Sequence, residues 1–293
     1  MNNVHTLFNT RLRLGEGPVW HDGLLYYIDI ESKRVYRGNV STKITEILID
    51  LPSRVGFISP RLTGGWVLGL EDGLYSINDD WSTKSLTRIV PIEADRNDLR
   101  INDGKPDPAG RLWLGSLSLK GEKERAGLYC VDKTLSVRRM VDKVNLSNGL
   151  AWSNDARKMY YIDTPLRTVD AFDFDASSGD ISNRKTIYTL TGDQGHPDGM
   201  TIDADGRLWV ACWGGSGVLC IDPASGELVS RIDVPCPNVT CCCFGGAALD
   251  TLYITTASEG MDAASLEKYP LAGQVFQTRI AGVRGAKVPA FAG

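Results

Sequence analysis

The sequence predicts an all-β fold, a six-bladed β-propeller whose four-stranded antiparallel blades surround a central channel. Three observations carry this expectation. One hairpin phrase, an Asp/Asn/Gly turn leading into a β-rich run, occurs six times in 293 residues. No apolar period of 3.6 residues lasts longer than about two turns, so α/β alternation has no helices to use. Four loops also place a carboxylate or amide close before glycine and then an apolar strand, and the last three are spaced by roughly 40–50 residues, the period of propeller blades.

The elements follow in order. A strand near residues 4–8 should pair with the last blade and close the ring. The phrase first appears as residues 24–30 (LLYYIDI) after the turn His21-Asp22-Gly23, and next as 64–70 (GGWVLGL), where 71–73 (EDG) turns the chain into 74–77 (LYSI). It is fullest at 107–115 (DPAGRLWLG) and 203–211 (DADGRLWVA), with variants at 153–163 (SNDARKMYYID) and 249–255 (LDTLYIT). Further strands follow at 127–132 (GLYCVD) and 217–223 (GVLCIDP). A β-sandwich fits the strand spacing but not the register of the four repeated segments. Radial closure removes most sheet edges, which makes one propeller domain over residues 1–293 the economical reading.

Bulk properties narrow the function. Hydrophobic residues make up 42% and charged residues 23% of the chain, an ordinary globular composition. The net charge of −4 comes without a basic cluster, so nothing points to nucleic acid or anionic lipid. No run approaches the ~18 apolar residues of a membrane span, and the N-terminus lacks an apolar signal core. The expected location is cytoplasmic, as a monomer or small homo-oligomer. Cys130, Cys212 and Cys220 fall in strand-like runs and read as buried hydrophobes. Cys241-Cys242-Cys243 alternate faces along a strand and cannot readily share one tetrahedral site. Of the three histidines, only His196 lies near a candidate site residue.

The four repeated segments are Gly15-Glu16-Gly17, Asn102-Asp103-Gly104, Asn148-Gly149 and Asp198-Gly199. Taken singly, each is a turn dipeptide. Repeated in register around a ring, they would aim oxygen-bearing side chains at one axis, which suits a hard cation.

At this level of detail the chain resembles the regucalcin-like gluconolactonases, the senescence-marker-protein/gluconolactonase family. The likeness runs through GEGPVW, YYIDI, NDGKPDPAGRLW, SNGLAWS, YYIDT, VDAFDFD, SGDISNR, PDGMTIDADGRLWVACW, CCFGG, LYITTA and YPLAGQVF. Its late section is also similar to bacterial sugar-acid lactonases, including xylonolactonases. The resemblance implies metal-dependent opening of a sugar-acid lactone such as glucono- or xylono-lactone. One divalent ion (Ca²⁺, Zn²⁺, Mn²⁺ or Mg²⁺) would be held by Glu16, Asn148 and Asp198. Asn102 and Arg100 would touch substrate, and Asp198 would accept the proton of the attacking water. Two other readings stay open: a calcium- or metabolite-binding protein without turnover, and an organophosphate or other ester hydrolase. In one place the chain departs from the family: an acidic substrate contact aligns here on Lys120. That change implies a lactone with an acidic or strongly hydrogen-bond-accepting group away from the ring ester.

Overall fold

Six four-stranded antiparallel sheets make up the protein, which was studied as a computed structural model describing residues 4–293. In five sheets the strands follow one another in sequence from the channel outward; in the sixth, the outermost strand is His5–Thr6, paired with Phe276–Arg279. The expected closing strand is therefore present, and it joins the two ends of the chain within one blade. The inner strands, in blade order, are Gly15–His21, Val55–Pro60, Leu99–Pro106, Ser147–Trp152, His196–Ile202 and Val239–Gly245. Ala263–Lys268 is the single α-helix among the described residues.

Burial explains the near-continuous apolar runs. Second strands such as Leu24–Asp29 and Lys158–Asp163 are covered on both faces by neighbouring blades, so they do not alternate. Outermost strands such as Ile44–Asp50 and Glu227–Asp233 are largely exposed and mix polar with apolar residues. The core consists of the layers between blades. Tyr26, Val35, Val55 and Trp66 fill one of these, and Trp209, Phe244, Leu252 and Phe276 another.

The hairpin phrase has a mechanical basis. In DADGRLW, Asp203 accepts backbone N–H bonds from Asp205 (3.0 Å) and Arg207 (2.9 Å), and its other oxygen accepts Trp209 Nε1–H (3.0 Å). Asp107 does the same for DPAGRLW, with Arg111 Nε added at 2.6 Å. One carboxylate thus shapes the turn and satisfies the indole of a tryptophan buried between blades. The aspartate of YYID also anchors backbone: Asp29 accepts from the N–H groups of Arg13 and Leu14, and Asp163 from those of Asn145 and Leu146. These bonds tie the end of each second strand to the chain entering its inner strand.

All seven cysteines are buried and free. Burial pushes the Cys212 thiol up to about 12 and the Cys220 thiol to about 11, away from reactive thiolate character.

Beyond the last blade the chain crosses the far end of the ring. Gly285 N–H bonds to Leu249 O, and Ala286 N–H to Ile202 O. Past residues 287–290, Phe291 pairs with Pro60 and Leu62, and Ala292 with Gly110.

Replacing Asp203 by alanine should leave Trp209 Nε1 and two turn amides without their acceptor, lowering stability by about 2–4 kcal/mol. Asp205→Ala, at an exposed position of the same turn, should cost under about 1 kcal/mol. Urea unfolding midpoints of the two variants test the difference.

Candidate active site

The four repeated segments lie within the inner strands rather than in loops, and each coincides with a break in strand register. The breaks fall between Glu16 and Val19, Ile101 and Asp103, Asn148 and Leu150, and Pro197 and Met200. The two other inner strands break at the same level, between Val55 and Phe57 and between Val239 and Cys241. Each break is a β-bulge, which inserts an extra residue and re-aims a side chain. Three of the glycines, Gly104, Gly149 and Gly199, are there because a neighbouring inner strand comes close, whereas Gly17 adopts a φ of +50°. A Cβ on Gly149 would lie 2.7 Å from Asp198 O, and one on Gly199 would lie 2.3 Å from Cys241 Sγ. Reading these dipeptides as turns therefore misplaces them, although the side chains beside them still share one level of the channel.

Asn148 and Asp198 are in direct contact, with Nδ2 of the amide 2.5 Å from Oδ1 of the carboxylate. The same amide nitrogen is 3.1 Å from Thr164 Oγ1, which donates to Pro197 O at 2.8 Å. Thr164 thus links the two strands from outside the channel, a role with no signature in sequence. Glu16 accepts Gly17 N–H through Oε2 at 2.7 Å. Asn102 donates Nδ2–H to Ser147 O at 2.8 Å, which fixes the amide and leaves Oδ1 as an acceptor. Arg100 is buried and donates to Ile101 O at 2.9 Å. Lys120 sits apart from these residues, in the turn after the strand Leu112–Ser118. The turn is held at the Arg100 end of the blade by Leu119 N–H to Asp98 O, and the Lys120 side chain is exposed. His196 is also exposed, with Nε2 3.4 Å from Arg167 Nη1, and no serine forms a triad with it among the described residues.

Charge is the feature that asks for a ligand. Burial pushes the Glu16 carboxyl well above the usual carboxylate range, and the charges of Asp198 and Asp103 push it further. Burial likewise raises Asp198; the Asn148 hydrogen bond opposes this and Asp103 adds to it. Asp103 is itself raised by burial, partly offset by Lys105 and by the Gly104 N–H. Among the described residues none of these three carboxylates has an ion-pair partner within 4.0 Å. Asp103 belongs to a repeated segment, yet the sequence does not mark it as a third charge, since an Asp-Gly step looks like turn chemistry. Arg100 is lowered to about 10 by burial, opposed by Glu31, Glu71 and Glu16, and stays cationic at neutral pH.

No group of three or more His, Cys, Asp and Glu side chains among the described residues is placed to hold a metal. The fitting set here is mixed: two carboxylates, Glu16 and Asp198, with the amide oxygen of Asn148 after rotation of its amide. A buried and a half-buried carboxylate that repel each other, beside a neutral oxygen donor, suit a hard divalent cation.

A cavity of about 810 Å³ begins at the bulge level, at Gly17 and Asp103, and extends toward the C-terminal segment, lined also by Lys105, Trp20, Phe57 and Pro289. Glu16, Asn148 and Asp198 do not line it.

The SMP-30/gluconolactonase/LRE-like family profile matches residues 14–258. The chain belongs to that family. It is 42% identical over 286 residues to regucalcin of Danio rerio, covering 96% of each chain. Human regucalcin is 37% identical, with 96% of this chain and 95% of that protein covered. A luciferin-regenerating enzyme superposes with a TM-score of 0.93 at 33% identity over 100% of both chains. A calcium-binding regucalcin from Agrobacterium tumefaciens superposes with a TM-score of 0.91 at 26% identity, covering 98% of this chain and 96% of that one.

The raised carboxyls have a consequence in solution. Without a cation, Glu16 and Asp198 keep protons that the unfolded chain releases at lower pH, so stability falls as pH rises from the ordinary carboxyl range through the raised values. A divalent cation must displace those protons. Mn²⁺ binding should therefore release protons and tighten as pH rises across that window. Calorimetry in two buffers of different ionisation enthalpy measures the release, and Asp198→Ala should diminish it.

Proposed function

We propose that this protein hydrolyses a sugar-acid lactone with the aid of one divalent cation held by Glu16, Asn148 and Asp198. Lactone hydrolysis is the chemistry of the gluconolactonase family to which the chain belongs. The cation, the residue roles and the choice of lactone are our reading. One observation carries it: Asp198 is buried and Glu16 half-buried beside it, both without a cationic partner, at the level where Asn148 and Asn102 present amides.

A lactone is a cyclic ester, so opening it requires attack by water on the carbonyl carbon and protonation of the departing ring oxygen. A cation held by Glu16, Asn148 and Asp198 would supply Lewis acidity at the carbonyl. The remaining work falls to the protein. With the Asn148 amide rotated, the Asp198 oxygen that Asn148 engages would face the cation, and the other oxygen would take a proton as water adds. When the ring C–O bond breaks, the same proton passes to the alkoxide, which restores the carboxylate and leaves the open hydroxy acid. Asn102 Oδ1, freed by the bond to Ser147, accepts from a sugar hydroxyl. Arg100 carries a positive charge shielded from water, where a bond to a ligand oxygen is worth more than at the surface. Lys120, at the same end, would favour a lactone with an anionic group remote from the ester.

Asp198→Asn removes the proton acceptor and keeps an oxygen donor. It should lower kcat on gluconolactone by about 10²–10⁴-fold, the usual worth of a general base. A pH-indicator assay with metal content measured in parallel tests this, and full activity with metal bound would place the base elsewhere. For Lys120→Ala, the expected result is a selective fall in kcat/KM of about tenfold or more on an anionic aldonolactone, set against a neutral one. Equal loss on both substrates, or none, would mean that Lys120 is only a solvated lysine.

A further inference from the structure

Lys105 is the residue of the NDGK segment that the proposed reaction leaves without a role. Its ammonium reaches across the channel from blade 3 to backbone carbonyls of two other blades, Leu150 O at 2.9 Å and Met200 O at 2.6 Å. Leu150 is two residues beyond Asn148, and Met200 is two residues beyond Asp198. Both carbonyls come directly after the bulges that aim those side chains.

An inner strand is hydrogen-bonded to its own blade along one edge only, so carbonyls on the other edge have no ladder partner. Buried carbonyls of this kind need a donor. Going by strand register, the positions equivalent to Lys105 are Val19, Ser59, Ala151, Thr201 and Cys243, none of them charged. The ring has one cation at this level, and it bonds to the two strands that carry Asn148 and Asp198.

We propose that Lys105 is a positioning residue, a clamp that fixes the separation of the Asn148 and Asp198 strands and so presets the cation site. This rests on the assignment of Asn148 and Asp198 as ligands. Charge and geometry give opposite signs here, so the two roles separate cleanly. Acting as a charge, Lys105 would repel a divalent ion, and its removal would tighten binding. Acting as a clamp, it would weaken binding when lost.

The test is the dissociation constant of Mn²⁺, measured by electron paramagnetic resonance on the full chain, with circular dichroism and the metal-free Tm recorded for each variant. Lys105→Met should weaken Mn²⁺ binding at least tenfold. Lys105→Arg, which keeps a cationic donor, should stay within about threefold of the unaltered chain. Lys105→Ala opens space continuous with the 810 Å³ cavity that Lys105 lines. Added n-propylammonium should then restore Mn²⁺ affinity, whereas tetramethylammonium, which has no N–H, should not. The same amine series applies if Lys105→Met fails to fold. Unchanged or tighter Mn²⁺ binding in Lys105→Met or Lys105→Ala, or equal effects of the two amines, overturns the clamp. Asp198→Ala is the separate control: if it retains full Mn²⁺ affinity, the ligand assignment fails whatever Lys105 does.

Discussion

Six inner strands share one axis, and the closeness of their backbones governs the rest of the molecule. At the bulge level only glycine fits beside certain neighbours, as the 2.7 Å approach to Asp198 O at Gly149 illustrates. A bulge there turns the preceding side chain toward the axis, and the missing Cβ lets the next strand pack against it. One local irregularity, repeated around the ring, thus produces both the close packing and the convergence of functional groups. Regular strands would have given a tighter channel with nothing in it to do chemistry.

Convergence has an electrostatic cost. Glu16, Asp103 and Asp198 place three carboxylates within a few strands of one another, with Arg100 and Lys105 as the nearby cations. Neither cation forms an ion pair with these carboxylates; Lys105 is engaged by two backbone carbonyls and Arg100 by one. The channel therefore keeps a deficit of positive charge at the end where substrate would enter. A site that favours a divalent ion does not need a complete cage of acids. It needs acids that the fold declines to pair.

Much of this was legible in the chain. The hairpin phrase announced the blades because one aspartate does the same two jobs at each full copy, and YYID marked second strands because its aspartate ties down the incoming inner strand. The N-terminal closing strand was also foreseeable, since a ring of blades needs one. Less was legible at the site. Glu16, Asn148 and Asp198 could be picked out by their repetition, but their surroundings suggested loops, because Asx-Gly has the same composition in a turn and in a bulge. Thr164, which bridges Asn148 and Pro197, and Ser147, which accepts from Asn102, act through contacts that depend on how neighbouring blades pack, which no local pattern encodes. Lys105 looked like the tail of a motif, and its partners lie 45 and 95 residues away.

The C-terminal segment gives the ring a second fastening. A propeller closed only by its terminal blade has one seam, and strain at that seam can open the circle. Here the chain continues across the far end, bonding to blades 6 and 5 through Leu249 and Ile202 and then to blades 2 and 3 through Pro60 and Gly110. Phe291 is fully buried against Val67, Leu74 and Leu112 at the end of that span. The segment works as a chord across a circle, coupling opposite arcs that otherwise communicate only around the rim. Parting the seam within the sixth blade, between His5–Thr6 and Phe276–Arg279, would leave those arcs joined, so disassembly must release two separate attachments.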